Sequence, residues 1–547
     1  MDLATAFATV VPAERRVGFK AYDGSSTGLI GAEVVLEITS PRGVHYIAAS
    51  PNQLGLARAY VTGDLEIHGD VYEALNRLYP MPLDHVSVVD RARLVKRFAR
   101  EALVRPEPPA QERALGGRRH SKRRDAEAIH HHYDVSNTFY SMVLGPSMAY
   151  TCAVFPNKEA SLELAQEEKF DLVCRKLNLQ PGMRLLDVGC GWGGMVLHAV
   201  KNYGVSAIGV TLSQQQAEWG QRAIEDAGLG NQAQVRFSDY RDVKETGFDA
   251  ISSIGLTEHI GRANYPSYFS FLYGKLKPEG RLLNHCITRP DGKWPALYKR
   301  SFINRYVFPD GELTPPGPII TDMNEAGFEI RHEENLREHY ALTLKHWCEN
   351  LERNWDACVA EAGLPTARVW RLYMAASRLG FDINTIQLHQ VLGVKVGERG
   401  KSGIPLRVSG ETWSLTAPEG WLGPFLNLFP LATIGLFLWQ QHLFMPPAVD
   451  EQAKVQQQVM KYMMFFMALM FFKVPCGLCL YFIASSLWGI AERLMLPTAP
   501  VALAGVPSGP EPTKAKGFFE NPFAASARNG THVADDLRRK RQARKKR

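Results

Sequence analysis

Hydrophobic and polar positions follow three rhythms along the 547-residue chain, and each rhythm predicts a different kind of structure. Residues 1 to about 105 mix a strand-like run, Glu33-Val34-Val35-Leu36-Glu37-Ile38, with a helical one from Val88 to Leu103, which predicts a small N-terminal α/β domain. Between 128 and 408 short apolar runs alternate with amphipathic stretches, the β-α-β order of a mainly parallel sheet. Strands are expected at Arg184 to Val188, Ala207 to Val210, Phe248 to Ile254 and Arg281 to His285. A helix is expected from Ser213, a good N-cap, to Ala227, ahead of Gly228. After Glu411 the apolar residues run together. Trp421 to Trp439 carries no charge and is about long enough to cross a bilayer, while Val459 to Ile490 carries only Lys461 and Lys473. At 1.5 Å per residue the second run would extend about 48 Å against a hydrocarbon core of roughly 30 Å, so it must tilt or break, and Pro475-Cys476-Gly477 offers the break.

Charge changes this picture at two places. The net charge is +7, yet Arg538 to Arg547 hold eight basic residues and no acid, which leaves the rest of the chain near −1. A surface that wraps nucleic acid is therefore not expected, and DNA is not among the expected partners. Residues 106–127 read as a Pro-, Gly- and charge-rich linker ending in the cluster Arg118-Arg119-His120-Ser121-Lys122-Arg123-Arg124. This cluster is either a solvated linker or a contact for an anionic lipid surface. Eight scattered cysteines do not make a disulfide framework and point to a reducing compartment, and the N-terminus shows no basic n-region followed by a long apolar stretch.

The candidate chemistry gathers where strands end. Leu186-Asp187-Val188-Gly189-Cys190-Gly191-Trp192-Gly193-Gly194 closes a strand and opens a helix, so its glycines let backbone approach a ligand at the sheet's carboxyl edge. Asp187, just before Val-Gly, departs from the dinucleotide fingerprint and matches the first motif of S-adenosylmethionine-dependent methyltransferases. Thr211-Leu212-Ser213 ends the next strand, and the glutamines that follow, Gln216 among them, are placed to reach ribose hydroxyls. Glu258 follows a third strand and His285 ends a fourth, at the same edge as the glycine loop. A buried carboxylate, an imidazole and a nearby thiol suit a small polar acid-base species. His130-His131-His132 invites a metal reading, but consecutive residues cannot all face one ion and no Cys or Glu stands at ligand spacing, so no metal site is assigned.

Residues 1 to about 408 resemble the cyclopropane-fatty-acyl-phospholipid synthase family. The segments that carry the resemblance are His132-Tyr133-Asp134-Val135-Ser136-Asn137, Tyr150-Thr151-Cys152-Ala153, Leu186 to Gly194, Val210-Thr211-Leu212-Ser213, Glu258-His259-Ile260-Gly261 and Phe308-Pro309-Asp310-Gly311. The resemblance implies a class I S-adenosylmethionine-dependent methyltransferase, Rossmann-like, with the α/β domain ahead of it. It implies that a double bond in a phospholipid acyl chain attacks the sulfonium methyl, that bicarbonate takes a proton from the resulting cation, and that a cyclopropane closes. It assigns bicarbonate to Cys152, Glu258, His285, the backbone at Ile287 and Tyr340, and S-adenosylmethionine to Tyr150, Thr151, Gly189 and Gln216. Asp187, Gly191, Gly193 and Thr211 join the cofactor set from the strand-and-loop reading. Thr151 stands where the family more often has serine and Thr257 where it has a bulkier apolar residue, which bears on acyl-chain fit and product. The nearest alternative is a fatty-acyl C-methyltransferase that leaves a methylene- or methyl-branched chain.

From about Pro418 the chain resembles the C-terminal part of YidC-type membrane protein insertases, on Phe425-Leu426-Asn427-Leu428-Phe429-Pro430, Gln440-Gln441, Met445-Pro446-Pro447, Met460 to Met464 and Val474 to Phe482. That resemblance implies an α-helical transmembrane segment at 421–494 after a short linker at 409–420. A basic tail at 495–547 follows, read as disordered and facing the ribosome. It also opens a reading of another class, an insertase fragment with an enzymatic passenger. The expected location is the cell membrane with the catalytic domain on the cytoplasmic side. Basic tails stay cytoplasmic, so both ends share one side only with an even number of crossings, here two. Otherwise one stretch does not cross, or the reading frame joins two genes.

Overall fold

The computed structural model describes residues 1–80, 84–112, 124, 135–292, 301–405 and 476–495, with a few isolated positions between 433 and 455. Residues 1–418 form one compact unit and 419–547 a second.

In the first unit, a four-stranded sheet holds β1 (Val17–Ala21), β2 (Ser26–Thr27), β3 (Val34–Ile38) and β4 (Leu65–His68) in the order β2-β1-β3-β4. β1 and β3 run parallel, and the outer strands are antiparallel to them. Helices Pro41–Ala49 and Gln53–Thr62 start at Ser40 and Asn52, whose side chains accept from Arg42 N–H and Leu54 N–H. The Val88–Leu103 helix forms over the predicted residues, opened by Ser87. One core runs from Leu36, Tyr60 and Val61 through to Phe139, Trp347 and Trp370, so the N-terminal sheet and the larger sheet share their packing. Arg368 adds a polar tie by donating to Tyr60 O at 2.9 Å.

The larger sheet has seven strands: β5 (Arg184–Val188), β6 (Ser206–Thr211), β7 (Ala233–Phe237), β8 (Phe248–Ile254), β9 (Leu276–Thr288), β10 (Glu329–Asn335) and β11 (Gln387–Val394). Their order is β10-β11-β9-β8-β5-β6-β7. β5 to β9 pair in parallel, while β11 runs against both of its neighbours. This mixed sheet with one reversed strand is the class I methyltransferase fold. Successive residues of β5 enter different cores, Leu185 on one face and Leu186 and Val188 on the other, as a sheet covered by helices on both sides requires.

The four predicted strands all form, and the helix runs Gln214–Asp226 with Ser213 as its cap. β9 is longer than expected because its start pairs with Phe248 of β8 and its end with Gln387 of β11. The linker also differs from a free chain where it is described. Glu112 accepts two bonds of 2.7 Å from Arg58, and the Arg124 guanidinium forks onto Asp310 at 2.5 and 2.8 Å. Those charges are held by partners rather than by water; Arg118 to Arg123 and the three histidines lie outside the described residues.

In the second unit the described element is the helix Cys476–Met495. Among the described residues no helix is long and apolar enough to cross a membrane. The expected transmembrane segment is therefore without support there: the described helix includes Glu492 and Arg493 in its sequence. The rest of that segment, including nearly all of Trp421 to Trp439, and the basic tail lie outside the described residues.

Candidate active site

Parallel strands place their carboxyl ends along one edge, and the loops leaving them carry the candidate residues. After β5, Gly189, Gly191 and Gly193 hold φ of 77°, 54° and 80°, where an L side chain is strained. The N–H groups of Gly189 and Cys190 both donate to Val210 O, at 2.9 and 3.0 Å, which fastens the loop to the end of β6. Trp192 Nε1 donates to Asn137 Oδ1 at 2.8 Å and ties the loop to the helix Asn137–Leu144.

Beside this loop lies a cleft enclosing ≈ 870 Å³ of space open to solvent, lined by Gly189, Gly191, Thr211, Gln216, Ser238, Tyr240, Gly255, Leu256, His259 and the segment Val307 to Gly311. Thr211 Oγ1 donates to Gln216 Oε1 at 2.7 Å, which fixes the amide's orientation. The buried Nε2 then has no partner of its own. It is a donor set into the wall of the cleft.

Four of the eight expected cofactor residues line this cleft: Gly189, Gly191, Thr211 and Gln216. Asp187 lies beneath it, 2% exposed, accepting from Ser252 Oγ at 2.6 Å, and burial pushes its carboxyl up to about 6. Gly193 caps the helix Gly194–Tyr203 and faces Val235 and Gly220, so it serves packing. Tyr150 donates to Tyr373 across 3.0 Å, within a cage of Tyr140, Trp347 and Trp370 whose ring centroids lie 5.4–5.9 Å away. Thr151 meets the chain at Gly255, where its methyl would stand 3.1 Å from an added Cβ.

The second group is more deeply buried. Glu258, on the short helix Thr257–Ile260, accepts from Ile287 N–H through Oε1 at 2.7 Å, while its Oε2 is buried without a partner. Burial pushes this carboxyl up to about 7. His285 is 1% exposed; burial holds its pKa well below the usual imidazole value, and its Nε2 too is buried without a partner. Its carbonyl accepts from Gly255 N–H at 2.8 Å, so the cleft wall and this group share backbone. The Cys152 thiol is 3.1 Å from Ala153 O and 3.8 Å from Leu336 O, and burial raises its pKa far above neutrality. Leu336 O also receives Tyr340 N–H, which brings Cys152 and Tyr340 to one spot, the Tyr340 ring lying against Phe381 at 4.4 Å. The Ile287 N–H, expected to face bicarbonate, is instead engaged by Glu258.

A residue that the sequence reading passed over stands between the two groups. Lys169, on the helix Leu162–Leu177, is 1% exposed and donates to Thr151 Oγ1 at 2.9 Å. Its neighbour Gln166 donates to Ala149 O and Thr151 O, so one helix face holds the 149–152 loop. The readable signal was a lysine on the apolar face of its helix, in step with Leu162, Ala165 and Val173. Burial lowers the ammonium to about 7, against 10.5 in the unfolded chain. Between those values the unfolded state binds the extra proton, so this group makes stability rise with pH. Melts of the parent and of Lys169→Met at pH 7 and pH 9 should show the parent gaining relative to the variant, by at most roughly 1.4 kcal/mol per pH unit. A difference that is flat or shrinks would remove the buried-lysine account.

Residues 120–391 match the family model for mycolic acid cyclopropane synthetase. Over 400 residues the chain is 58% identical to the probable fatty acid methyltransferase Rv3720 of Mycobacterium tuberculosis, an alignment covering 71% of this chain and 93% of that one. The chain belongs to the cyclopropane synthetase family of S-adenosylmethionine-dependent methyltransferases. The enzyme is also 37% identical over 271 residues to the cyclopropane-fatty-acyl-phospholipid synthase of Escherichia coli, covering 49% of this chain and 68% of that one. Among solved structures it is similar to the cyclopropane synthase MmaA2 of Mycobacterium tuberculosis, with 31% identity, a TM-score of 0.48, and coverage of 49% of this chain and 98% of that chain. The family match ends at residue 391, so it lends the insertase-like resemblance of the C-terminal segment no support.

Proposed function

We propose that the enzyme transfers the methyl of S-adenosylmethionine to a double bond in a phospholipid acyl chain and closes a cyclopropane ring. The observation that carries this reading is the pair of unpartnered buried atoms, Glu258 Oε2 and His285 Nε2, beside the cofactor cleft. An alkene needs no base to attack a sulfonium; it needs an aligned methyl, a site shielded from water, and a place to lose a proton afterwards. In this reading Gly189, Gly191, Thr211 and Gln216 hold the cofactor, with the Gln216 amide as a donor.

Two polar atoms buried without partners are costly unless something binds them, and a bicarbonate fits. A Glu258 carboxyl raised to about 7 is protonated in a large fraction of molecules near neutrality and can donate through Oε2. His285, held neutral, can donate through Nε2. Bicarbonate, when bound there, supplies a base that is not a side chain. The Cys152 thiol stays protonated and is therefore a poor target for alkylation.

A second product, compatible with the 58% identical relative named as a probable fatty acid methyltransferase, comes from the same transfer followed by loss of a different proton, which leaves a double bond carrying the new carbon as a methylene or methyl branch. Lipids from cells expressing the full chain separate the two. Acyl chains heavier by one CH₂ with ring-methylene proton signals are expected; the same mass gain with alkene or branched-methyl signals would overturn ring closure.

A further inference from the structure

The larger sheet carries a row of polar side chains across three strands. Glu334 of β10 stands opposite Gln390 of β11, and Gln390 opposite His285 of β9. Above this row, on the same helix face as Lys169, Lys176 reaches down with no side-chain exposure. Its ammonium pairs with the Glu334 carboxylate and donates to Gln390 Oε1 at 2.7 Å. Gln390, itself fully buried, places Nε2 3.1 Å from His285 Nδ1.

The direction of every bond in this chain follows from what Lys176 lacks. An ammonium has three donors and no acceptor, so the Gln390 oxygen must face it. The Gln390 amide nitrogen then faces His285 and can only donate, which makes Nδ1 the acceptor. A neutral imidazole that accepts at Nδ1 carries its proton on Nε2. Nε2 is the buried atom without a partner beside the cofactor cleft.

We propose that Lys176 and Gln390 are positioning residues that lock His285 as the neutral Nε2–H tautomer, so that the reaction site presents a hydrogen-bond donor and selects an oxyanion. Without the lock, a buried neutral imidazole can also carry its proton on Nδ1 and turn a lone pair to the site, which would repel bicarbonate. The lock deepens the oxyanion reading of the Glu258–His285 site and rests on it. It also explains why two buried, costly groups, a helix ammonium above the sheet and an amide within it, stand away from the residues that line the cleft.

Nitrogen NMR of the full-length enzyme with ¹⁵N-labelled histidine reads the tautomer directly, His285 being recognised by the signal lost in His285→Asn. The parent should show Nε2 protonated and Nδ1 bare at neutral pH. Gln390→Glu keeps the shape and reverses the logic: one carboxylate oxygen faces Lys176 and the other accepts from Nδ1–H, so the proton should move to Nδ1. The bicarbonate concentration for half-maximal turnover should then rise about tenfold or more, with KM for S-adenosylmethionine unchanged. A parent with Nδ1 protonated overturns the lock, even if Gln390→Glu does not fold. So does a folded Gln390→Glu enzyme with an unaltered nitrogen pattern. A proton that moves with no change in bicarbonate response upholds the lock and overturns the oxyanion site instead.

Discussion

Replacing Glu258 by Gln should leave S-adenosylmethionine affinity unchanged and lower turnover by about 10² to 10⁴, the usual worth of a positioned acid-base group. The amide oxygen can still accept from Ile287 N–H, the bond that Oε1 makes at 2.7 Å, so the loop keeps its anchor. What disappears is a group able to gain and lose a proton near pH 7. The parent's rate should therefore change with pH around that value, and this limb should be missing from the variant. Stability gives an independent sign. The folded carboxyl keeps its proton up to about 7 while the unfolded one releases it near 4.5, so this group makes stability fall as pH rises between those values. Gln cannot titrate, and the variant should gain relative to the parent across the same window. A variant with parental turnover in bicarbonate-replete and bicarbonate-depleted buffer alike would remove Glu258 from the chemistry.

Gly189→Val should cost S-adenosylmethionine affinity at least tenfold, read by calorimetry on a variant shown to be folded. At φ 77° a β-branched residue is strained by roughly 1–2 kcal/mol, and a tenfold change in affinity corresponds to about 1.4 kcal/mol. The side chain also has nowhere to go. Its Cβ would stand 3.2 Å from Leu256 Cβ, and the branches would enter the cleft that both residues line. Gly191→Ala is the comparison for backbone strain without crowding, since φ there is 54° and an added Cβ meets nothing within 4 Å. Equal affinity in Gly189→Val, Gly191→Ala and the parent would move the cofactor away from this loop.

The elements that periodicity located were those whose apolar pattern is strong. The strands Arg184–Val188 and Phe248–Ile254 are buried nearly throughout, and the helix Gln214–Asp226 announces itself by the Ser213 cap. β10 gave no such signal. It reads Glu-Ile-Arg-His-Glu-Glu-Asn because it is an edge strand, half-buried along most of its length. The reversed strand beside it, β11, is also absent from the expected strands, and with it Gln390 and the row that reaches His285. Lys169 and Lys176 were overlooked for a related reason: a lysine in a helix ordinarily marks a solvated face, and only packing reveals that these two point inward. Gly189, Gly191, Thr211 and Gln216 were legible because strand ends and a glycine loop fix where they must lie. Cys152 and Tyr340 were named through resemblance alone. They come from distant parts of the chain, and their meeting at Leu336 O is a tertiary fact.

The most direct test follows one carbon. The full chain, S-adenosylmethionine labelled with ¹³C in its methyl group, and phospholipid vesicles with either monounsaturated or saturated chains are incubated with bicarbonate, and the lipids are read by carbon NMR. The label should appear in the acyl chains of the unsaturated vesicles, as a ring methylene between the two former alkene carbons, and nowhere in the saturated ones. Label on the headgroup, or equal label in both vesicle types, would contradict methyl transfer to a lipid double bond.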